Sequence, residues 1–419
     1  MTNRPALAVI GLGYVGLPLA MEAVRAGMRV HGLDQDASLI AGLLEGRSHV
    51  DDVTDEQVAD AVAHGFVPTT DPVCLGSVDV VVICVPTPLR EGTPDLDAVK
   101  SATEQIARAI RPGTLVVLES TSYPGTTHEM LLPALEKSGR RVGRDFHLAY
   151  SPERIDPGNS RFGLRNTPKV VGGVTTVCTD AAVGFYRQLA DEVVRVGSPA
   201  VAEMSKLLEN TYRQVNIALV NEMAVFCHDL GIDLWEAIDA ASTKPFGFQA
   251  FRPGPGVGGH CIPIDPNYLS HRVRSLGYPF RFVELAQEIN GRMPVYVADR
   301  VMHLLNDDGL ALRGSRVLLL GVTYKADVAD QRESPSLVVA ERLLALGARV
   351  SYHDPFIPEW DVAGERLFCV PDLDTALSEA TVTVILQTHR HYDLDVVAKH
   401  ARRVLDTRGR ADGANVTKL

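Results

Sequence analysis

Several things are scarce in this sequence, and each scarcity excludes a class. The longest uninterrupted apolar stretch of the 419 residues lies within Val78 to Pro86, well short of the roughly 20 residues a membrane-spanning helix needs. No membrane segment and no membrane partner are expected. The opening residues, Met1 to Pro5, lead straight into Ala6 to Ile10 and then glycines, without the basic region, apolar core and small-residue cleavage site of an export signal. A cytoplasmic location is the expectation. Cysteines are few and scattered, at 74, 84, 178, 227, 261 and 369, and no CxxC spacing joins them. That pattern suggests free thiols in a reducing compartment rather than a disulfide framework or a zinc site. Basic excess is missing too: 41 Lys plus Arg stand against 52 Asp plus Glu, for a formal net charge of -11. This argues against a general nucleic-acid binder, while a local basic pocket for an anionic small molecule remains compatible with it.

What is present reads as a globular α/β chain. With 46% apolar residues the length suffices for two or three hydrophobic cores, and disordered or collagen-like classes are excluded. Leu7 to Ile10 is a buried strand by composition, followed by Gly11-Leu12-Gly13-Tyr14-Val15-Gly16 and a helical stretch that ends near Gly27. A second strand, Arg29 to Leu33, ends at Asp34, 18 residues after Gly16. Strand, glycine turn, helix, strand and terminal acid make a dinucleotide-binding βαβ unit, with Asp34 placed to accept hydrogen bonds from a ribose 2′-hydroxyl. Gln35 follows, with no arginine close by, which favours NAD over NADP because a 2′-phosphate would meet a carboxylate.

Further strands are expected at Val78 to Val85, Thr114 to Glu119 and Phe146 to Tyr150, giving an open, mainly parallel sheet. Ligands bind such sheets beyond the carboxyl ends of the strands. Pro86-Thr87-Pro88, Glu119-Ser120-Thr121 and Ser151-Pro152-Glu153-Arg154 should therefore surround one crevice. Ala200 to His228 forms one long helical pattern free of proline and glycine, a spine joining domains or packing on a second subunit. Lys206 and Asn210, four apart, share one of its faces. Arg316 to Gly321 resembles another first strand, and Leu346 to Asp354 parallels Ala26 to Asp34, with seven residues from glycine to aspartate in both copies. The expected fold is thus α/β, two Rossmann-like doubly wound domains joined by a long central helix: 1–199 for NAD, 200–300 central, and 301–419 for a different nucleotide ligand.

Between the copies, Lys244 to Pro266 is rich in glycine and proline and too long to be an idle connector. It contains Gly258-Gly259-His260-Cys261-Ile262-Pro263-Ile264-Asp265-Pro266. Burial as an inert thiol is the ordinary fate of cysteine, and the other five fit it. Cys261, beside paired glycines and four residues before a carboxylate, suits a thiolate nucleophile. A nucleophilic cysteine with a dinucleotide domain is what oxidation of an aldehyde through a thioester requires. Neighbouring His260 has no second histidine or HExxH spacing to suggest a metal, and none is expected. Lys206 is a candidate cation for an oxyanion, and one of Glu153 and Asp265 should orient or deprotonate a hydrolytic water.

These motifs, together with Lys325-Ala326-Asp327 and Arg332-Glu333-Ser334, fall in the order seen in the UDP-glucose/GDP-mannose dehydrogenase family, which the chain resembles over nearly its whole length. The resemblance implies a nucleotide-sugar 6-dehydrogenase that converts a C6 alcohol to a carboxylate, uses two NAD per turnover and pairs as a homodimer through the central helix. It implies Cys261 as the nucleophile and Lys206 as oxyanion stabiliser. Asn210 and Asp265 would hold water and substrate, and Glu153 would be the base for thioester hydrolysis. Gly11, Gly13, Tyr14, Val15, Gly16, Asp34, Pro86, Thr87, Thr121 and Arg332 match the cofactor side. Glu153, Arg154, Lys206, Asn210, Arg252, Gly258 and Lys325 match the side of the nucleoside-diphosphate sugar, with Lys325 at the diphosphate and Arg252 reaching a neighbouring subunit's ligand. The forms Ser-Pro-Glu-Arg and Gly-Gly-His-Cys-Ile-Pro-Ile-Asp-Pro resemble the branch acting on UDP-N-acetylhexosamines, so UDP-N-acetylglucosamine is the expected substrate. UDP-glucose or TDP-glucose is the alternative. Replacing the thiol by Cys261→Ser should stop oxidation at the aldehyde or alcohol level; undiminished NADH output from that variant would remove the thiol from the chemistry.

Overall fold

The computed structural model describes residues 4–90, 92–156, 158–159, 161–259 and 262–419. It divides into two compact units, Met1–Glu209 with Asn267–Tyr278, and Asn210–Pro266 with Pro279–Leu419.

The sheet of the first unit holds β1 (Ala6–Ile10), β2 (Arg29–Leu33), β3 (Phe66–Thr69), β4 (Val80–Ile83), β5 (Leu115–Leu118), β6 (His147–Tyr150), β7 (Lys169–Gly173) and β8 (Val193–Arg195). Their order is β8-β7-β6-β5-β4-β1-β2-β3, so the doubly wound arrangement 3-2-1-4-5-6 is extended by two strands on one edge. Strands β1, β4 and β5 are buried at every position, as their continuous apolar composition requires when both faces of a sheet are covered. The pairs are parallel except β6 with β7, where Ala149 faces Gly173 and Tyr150 faces Gly172. Nothing in Lys-Val-Val-Gly-Gly signals direction, and the sequence reading did not mark this strand. Its reversal carries Lys169, the first residue of β7, to the carboxyl edge of its neighbours.

The main sheet of the second unit holds five strands, β9 (Arg316–Leu320), β10 (Arg349–His353), β11 (Val382–Ile385), β12 (Val404–Asp406) and β13 (Val416–Lys418). All pairs are parallel and the order is β10-β9-β11-β12-β13, the flavodoxin-like doubly wound order. Side chains of β9 alternate between cores: Val317 and Leu319 join one apolar cluster, Leu318 and Leu320 the other. That alternation is the period-two geometry of a strand with helices on both faces. The α/β expectation with two Rossmann-like sheets therefore holds.

The long helix spans Pro199–Asp229, 31 residues, or about 46 Å at 1.5 Å per residue. Met204, Leu208, Tyr212, Leu219 and Phe226 are exposed along it, at spacings that keep them on one stripe. Its start rests on β7, because a Cβ at Gly172 would lie 2.2 Å from the Ser198 carbonyl oxygen. Gly172→Ala should therefore lower stability by about 1–3 kcal/mol through overpacking. Urea unfolding checks this, and an unchanged midpoint would show that the helix start gives way freely.

Candidate active site

The glycine turn of the first unit divides its work among three residues. Gly11 has φ 88°, and a Cβ there would lie 2.6 Å from the Cys84 carbonyl oxygen, so only glycine makes this turn. At Gly16 a Cβ would lie 1.9 Å from the Gly11 carbonyl oxygen, which is the close helix–strand packing the motif needs. Gly13 has nothing within 4 Å of a would-be Cβ, leaving open the face a pyrophosphate approaches. The first turn of the helix Gly16–Arg25 carries no acidic residue that would repel an anion, and Tyr14 and Val15 pack their apolar parts on the core.

Asp34 follows β2 and locks the turn. Its Oδ2 accepts from Leu12 N at 2.9 Å, its Oδ1 accepts from Asp36 N at 3.0 Å, and a carboxylate with two such bonds keeps acceptor capacity for a ribose. These residues fit NAD. Pro86 and Thr87 lie beyond β4, where the Thr87 carbonyl accepts from Tyr268 Oη at 2.8 Å.

Beyond β5, Thr121 Oγ1 accepts from Lys206 Nζ at 2.6 Å. Lys206 as a residue is 8% exposed, and this bond holds its ammonium against the Ser-Thr segment. An acid of the long helix also fixes that segment. Glu203, fully buried, accepts from Gly125 N at 2.6 Å, Thr127 N at 2.9 Å and Thr127 Oγ1 at 2.7 Å. Burial raises its pKa despite these donors.

Glu153 has partners the sequence reading did not name. Its Oε1 accepts from Arg154 N and Ile155 N, both at 2.6 Å, and its Oε2 accepts from Lys169 Nζ at 3.1 Å. Lys169 also stands 3.1 Å from Glu119 Oε2, and Glu119 Oε1 accepts from Tyr186 Oη. All four side chains are buried. Burial pushes Glu119 above the usual carboxylate range, whereas for Glu153 the effect of burial is outweighed by the Lys169 charge and the two backbone N–H groups, which hold it below. Arg154, placed beside substrate by the sequence reading, donates to the Pro168 carbonyl at 2.7 Å and pairs with Glu209 at 2.9 Å.

In the second unit Asn210 Nδ2 donates to Asp265 Oδ2 at 2.6 Å, with both residues buried. Asp265 opens the helix Asp265–Ser275, where the helix dipole favours a carboxylate. Cys261 and His260 lie outside the described residues. The glycines before them are closely packed by the chain. A Cβ at Gly258 would lie 2.7 Å from the Glu333 carbonyl oxygen, and one at Gly259 would lie 2.7 Å from the ring of Tyr324. The pair makes room for the chain itself.

The second copy repeats the first at its turn. Gly11 N donates to the Leu33 carbonyl at 2.8 Å and Gly321 N to that of His353 at 3.0 Å. As Leu12 N binds Asp34, Val322 N binds Asp354 Oδ2, at 2.7 Å. Here the resemblance stops. Asp354 is buried and also accepts from Thr323 N at 3.3 Å, Phe356 N at 2.9 Å and His389 Nε2 at 3.0 Å. Asp327 N donates to His389 Nδ1 at 2.9 Å, a pattern that assigns the ring proton to Nε2. With its oxygens committed inward, Asp354 has a different task from Asp34. The turn after Gly321 is enlarged, as expected. It carries Lys325, whose carbonyl accepts from Thr323 Oγ1 at 2.9 Å, and Arg332, held on Asp330 at 2.8 and 2.9 Å. Arg252 pairs with Asp239 and stands 5.7 Å from the Trp235 ring centre.

Comparison with known proteins agrees with this geometry. The chain matches the UDP-glucose/GDP-mannose dehydrogenase family in three segments: its NAD binding domain over residues 6–190, its central domain over 200–292 and its UDP binding domain over 318–418. The chain belongs to that family and is an NAD-dependent dehydrogenase of a nucleotide sugar. It is 36% identical over 362 residues to the UDP-N-acetyl-D-glucosamine 6-dehydrogenase of Pseudomonas aeruginosa, covering 86% of this chain and 85% of that one. The solved UDP-D-ManNAc dehydrogenase of Pyrococcus horikoshii matches with a TM-score of 0.89 at 31% identity, covering 99% of both chains. A UDP-glucose dehydrogenase from Pyrobaculum islandicum matches with 0.86 at 26%, covering 100% of this chain and 97% of that one. Among the described residues no helix is long and apolar enough to cross a membrane, and no group of three or more His, Cys, Asp or Glu side chains is placed to hold a metal ion.

Asp34→Ala should raise the KM for NAD about 10-fold, the worth of roughly one good hydrogen bond to the cofactor plus the loosened turn. Steady-state kinetics with NAD varied checks this, and an unchanged KM would take Asp34 out of the cofactor site.

Proposed function

We propose that the chain oxidises C6 of a UDP-N-acetylhexosamine, first of all UDP-N-acetylglucosamine, to the carboxylate through a thiohemiacetal and a thioester on Cys261, consuming two NAD per turnover. The observation that carries the chemistry is the 2.6 Å hydrogen bond from Lys206 to Thr121. It fixes a nearly buried ammonium beyond the carboxyl end of β5, and an ammonium in such surroundings stabilises a developing oxyanion far better than one in water.

NAD, held by the turn Gly11–Gly16, Asp34, Pro86, Thr87 and Thr121, with Arg332 added, supplies when bound the two-electron acceptor for each oxidation. The chain's own groups do the rest. Lys206 stabilises the alkoxide left as the C6 hydroxyl gives its proton to the water held by Asp265 and Asn210. Cys261 as thiolate attacks the aldehyde carbon, so the intermediate cannot diffuse away between the two oxidations. After the second oxidation Glu153 takes a proton from water, the hydroxide adds to the acyl carbon, and the carbon–sulfur bond breaks to return the thiolate. Asp265, tied to Asn210, orients water and substrate, with Arg154, Gly258, Lys325 and Arg252 on the sugar-nucleotide side.

The acetamido sugar is supported by the names of the relatives that act on UDP-N-acetyl sugars and by Arg154-Ile155 and Ile264. UDP-glucose is the alternative, supported by the archaeal UDP-glucose dehydrogenase of like fold. The three matched segments support the functional division 1–199, 200–300 and 301–419. The exposed apolar stripe of the long helix supports a homodimer formed through it, since such a stripe is unfavourable in water. Unpaired thiols among the described cysteines are compatible with a cytoplasmic protein.

The deciding experiment offers UDP-N-acetylglucosamine, UDP-N-acetylmannosamine, UDP-glucose and TDP-glucose with NAD and follows NADH and the acid. About two NADH per acid are expected, with kcat/KM for UDP-N-acetylglucosamine at least ~10-fold above that for UDP-glucose. One NADH per substrate would overturn the thioester route, and preference for UDP-glucose would move the protein to the alternative.

A further inference from the structure

The buried group around Glu153 is larger than the proposed reaction uses, and it comes from four separate elements. Carried three residues onward, the antiparallel register of β6 and β7 sets Glu153 opposite Lys169. Glu119 follows β5, and Tyr186 closes the helix Thr176–Tyr186. Cys84, just beyond β4, completes the ionisable surroundings. One ammonium thus serves two carboxylates among buried side chains. Isolated charges of this kind are far too costly to bury, so the arrangement is held by mutual compensation.

The two carboxylates are treated unequally. Glu153 accepts an aligned hydrogen bond from Lys169 and two from backbone N–H groups. Glu119 Oε2 faces the same ammonium at 3.1 Å as an ion pair but without an aligned hydrogen bond, and its other oxygen accepts from a neutral phenol. We propose that Lys169 is a positioning residue that holds the charge and the aim of the Glu153 carboxylate, and that Glu119, the second carboxylate on the same ammonium, competes with Glu153 for it. This rests on Glu153 acting in thioester hydrolysis. The pKa directions agree, Glu119 upward and Glu153 downward. Two acids separated in this way by their environments have distinct roles.

The sign of each perturbation follows. Removing the cation raises the pKa of Glu153, so the acid limb of kcat moves to higher pH. Removing the negative charge of Glu119 lowers it, so the limb moves the other way. The full chain with NAD and UDP-N-acetylglucosamine is assayed from acid to neutral pH as Lys169→Met, Lys169→Arg, Glu119→Gln and Glu153→Gln, with intact-mass measurement of acyl adducts on the protein. Lys169→Met should shift the limb upward by about one pH unit or more, about a 10-fold loss on the acid side. Lys169→Arg should restore it, and Glu119→Gln should shift it downward. Glu153→Gln should accumulate the acyl adduct. If Glu153→Gln accumulates adduct while neither Lys169→Met nor Glu119→Gln moves the limb, the positioning role is overturned and the role of Glu153 stands. If Glu153→Gln turns over as the unaltered chain does, the role of Glu153 itself falls, and the positioning role with it. Should Lys169→Met fail to fold, Glu119→Gln decides alone, an unmoved or upward limb refuting the proposal.

Discussion

The hydrogen bond from the turn after a first strand to the aspartate after a second strand organises both units. In an open parallel sheet the backbone N–H groups of that turn point away from the strand ladder and need an acceptor. Asp34 takes Leu12 N in one unit and Asp354 takes Val322 N in the other. Each bond holds the glycine turn in its left-handed conformation, at Gly11 and Gly321, and so sets where the following segment leaves the sheet. What separates the two ligand ends is what else reaches the carboxylate. Asp34 keeps an open side, whereas Asp354 is closed by Thr323, Phe356 and His389. One architecture thereby gives a dinucleotide end and an end of another kind.

A second constraint is electrostatic. The charges gathered beyond the carboxyl ends of the large sheet are disfavoured by burial, and the fold answers by bringing each one a partner from a distant part of the chain. Lys206 and Glu203, three residues apart on the long helix, both reach the segment beyond β5, one as donor to Thr121 and the other as acceptor from Gly125 and Thr127. Glu153 receives Lys169 from the one antiparallel pairing of the large sheet. In a parallel continuation the first residue of β7 would lie at the opposite edge, far from the ligand end.

Much of this was legible in the residues. The glycine turn, the acid after the second strand, the long helix and the repeated strand–helix–strand pattern each carry a local signature, because turn conformation and hydrophobic period depend on residues close in sequence. The four-residue spacing of Lys206 and Asn210 was equally readable, as helix geometry is local. Legibility failed where pairing is long-range. Lys169, Glu119, Tyr186 and His389 carry no motif of their own and acquire meaning only from a neighbour on another element. Gly258 and Gly259 were read as space for a ligand, since a glycine pair says that something approaches closely but not what. Glu333 and Tyr324 are groups that do approach, and both come from far along the chain.

By itself, then, the order of residues determined the class of fold, the cofactor end and the types of chemical group on hand, because these follow from composition, period and spacing along the chain. The tertiary structure alone decided which carboxylates are driven up or down in pKa, which groups are paired and which strand runs backwards. Those outcomes depend on burial and on contacts between residues tens of positions apart, and electrostatic energies at such contacts change several-fold with surroundings that no local pattern records.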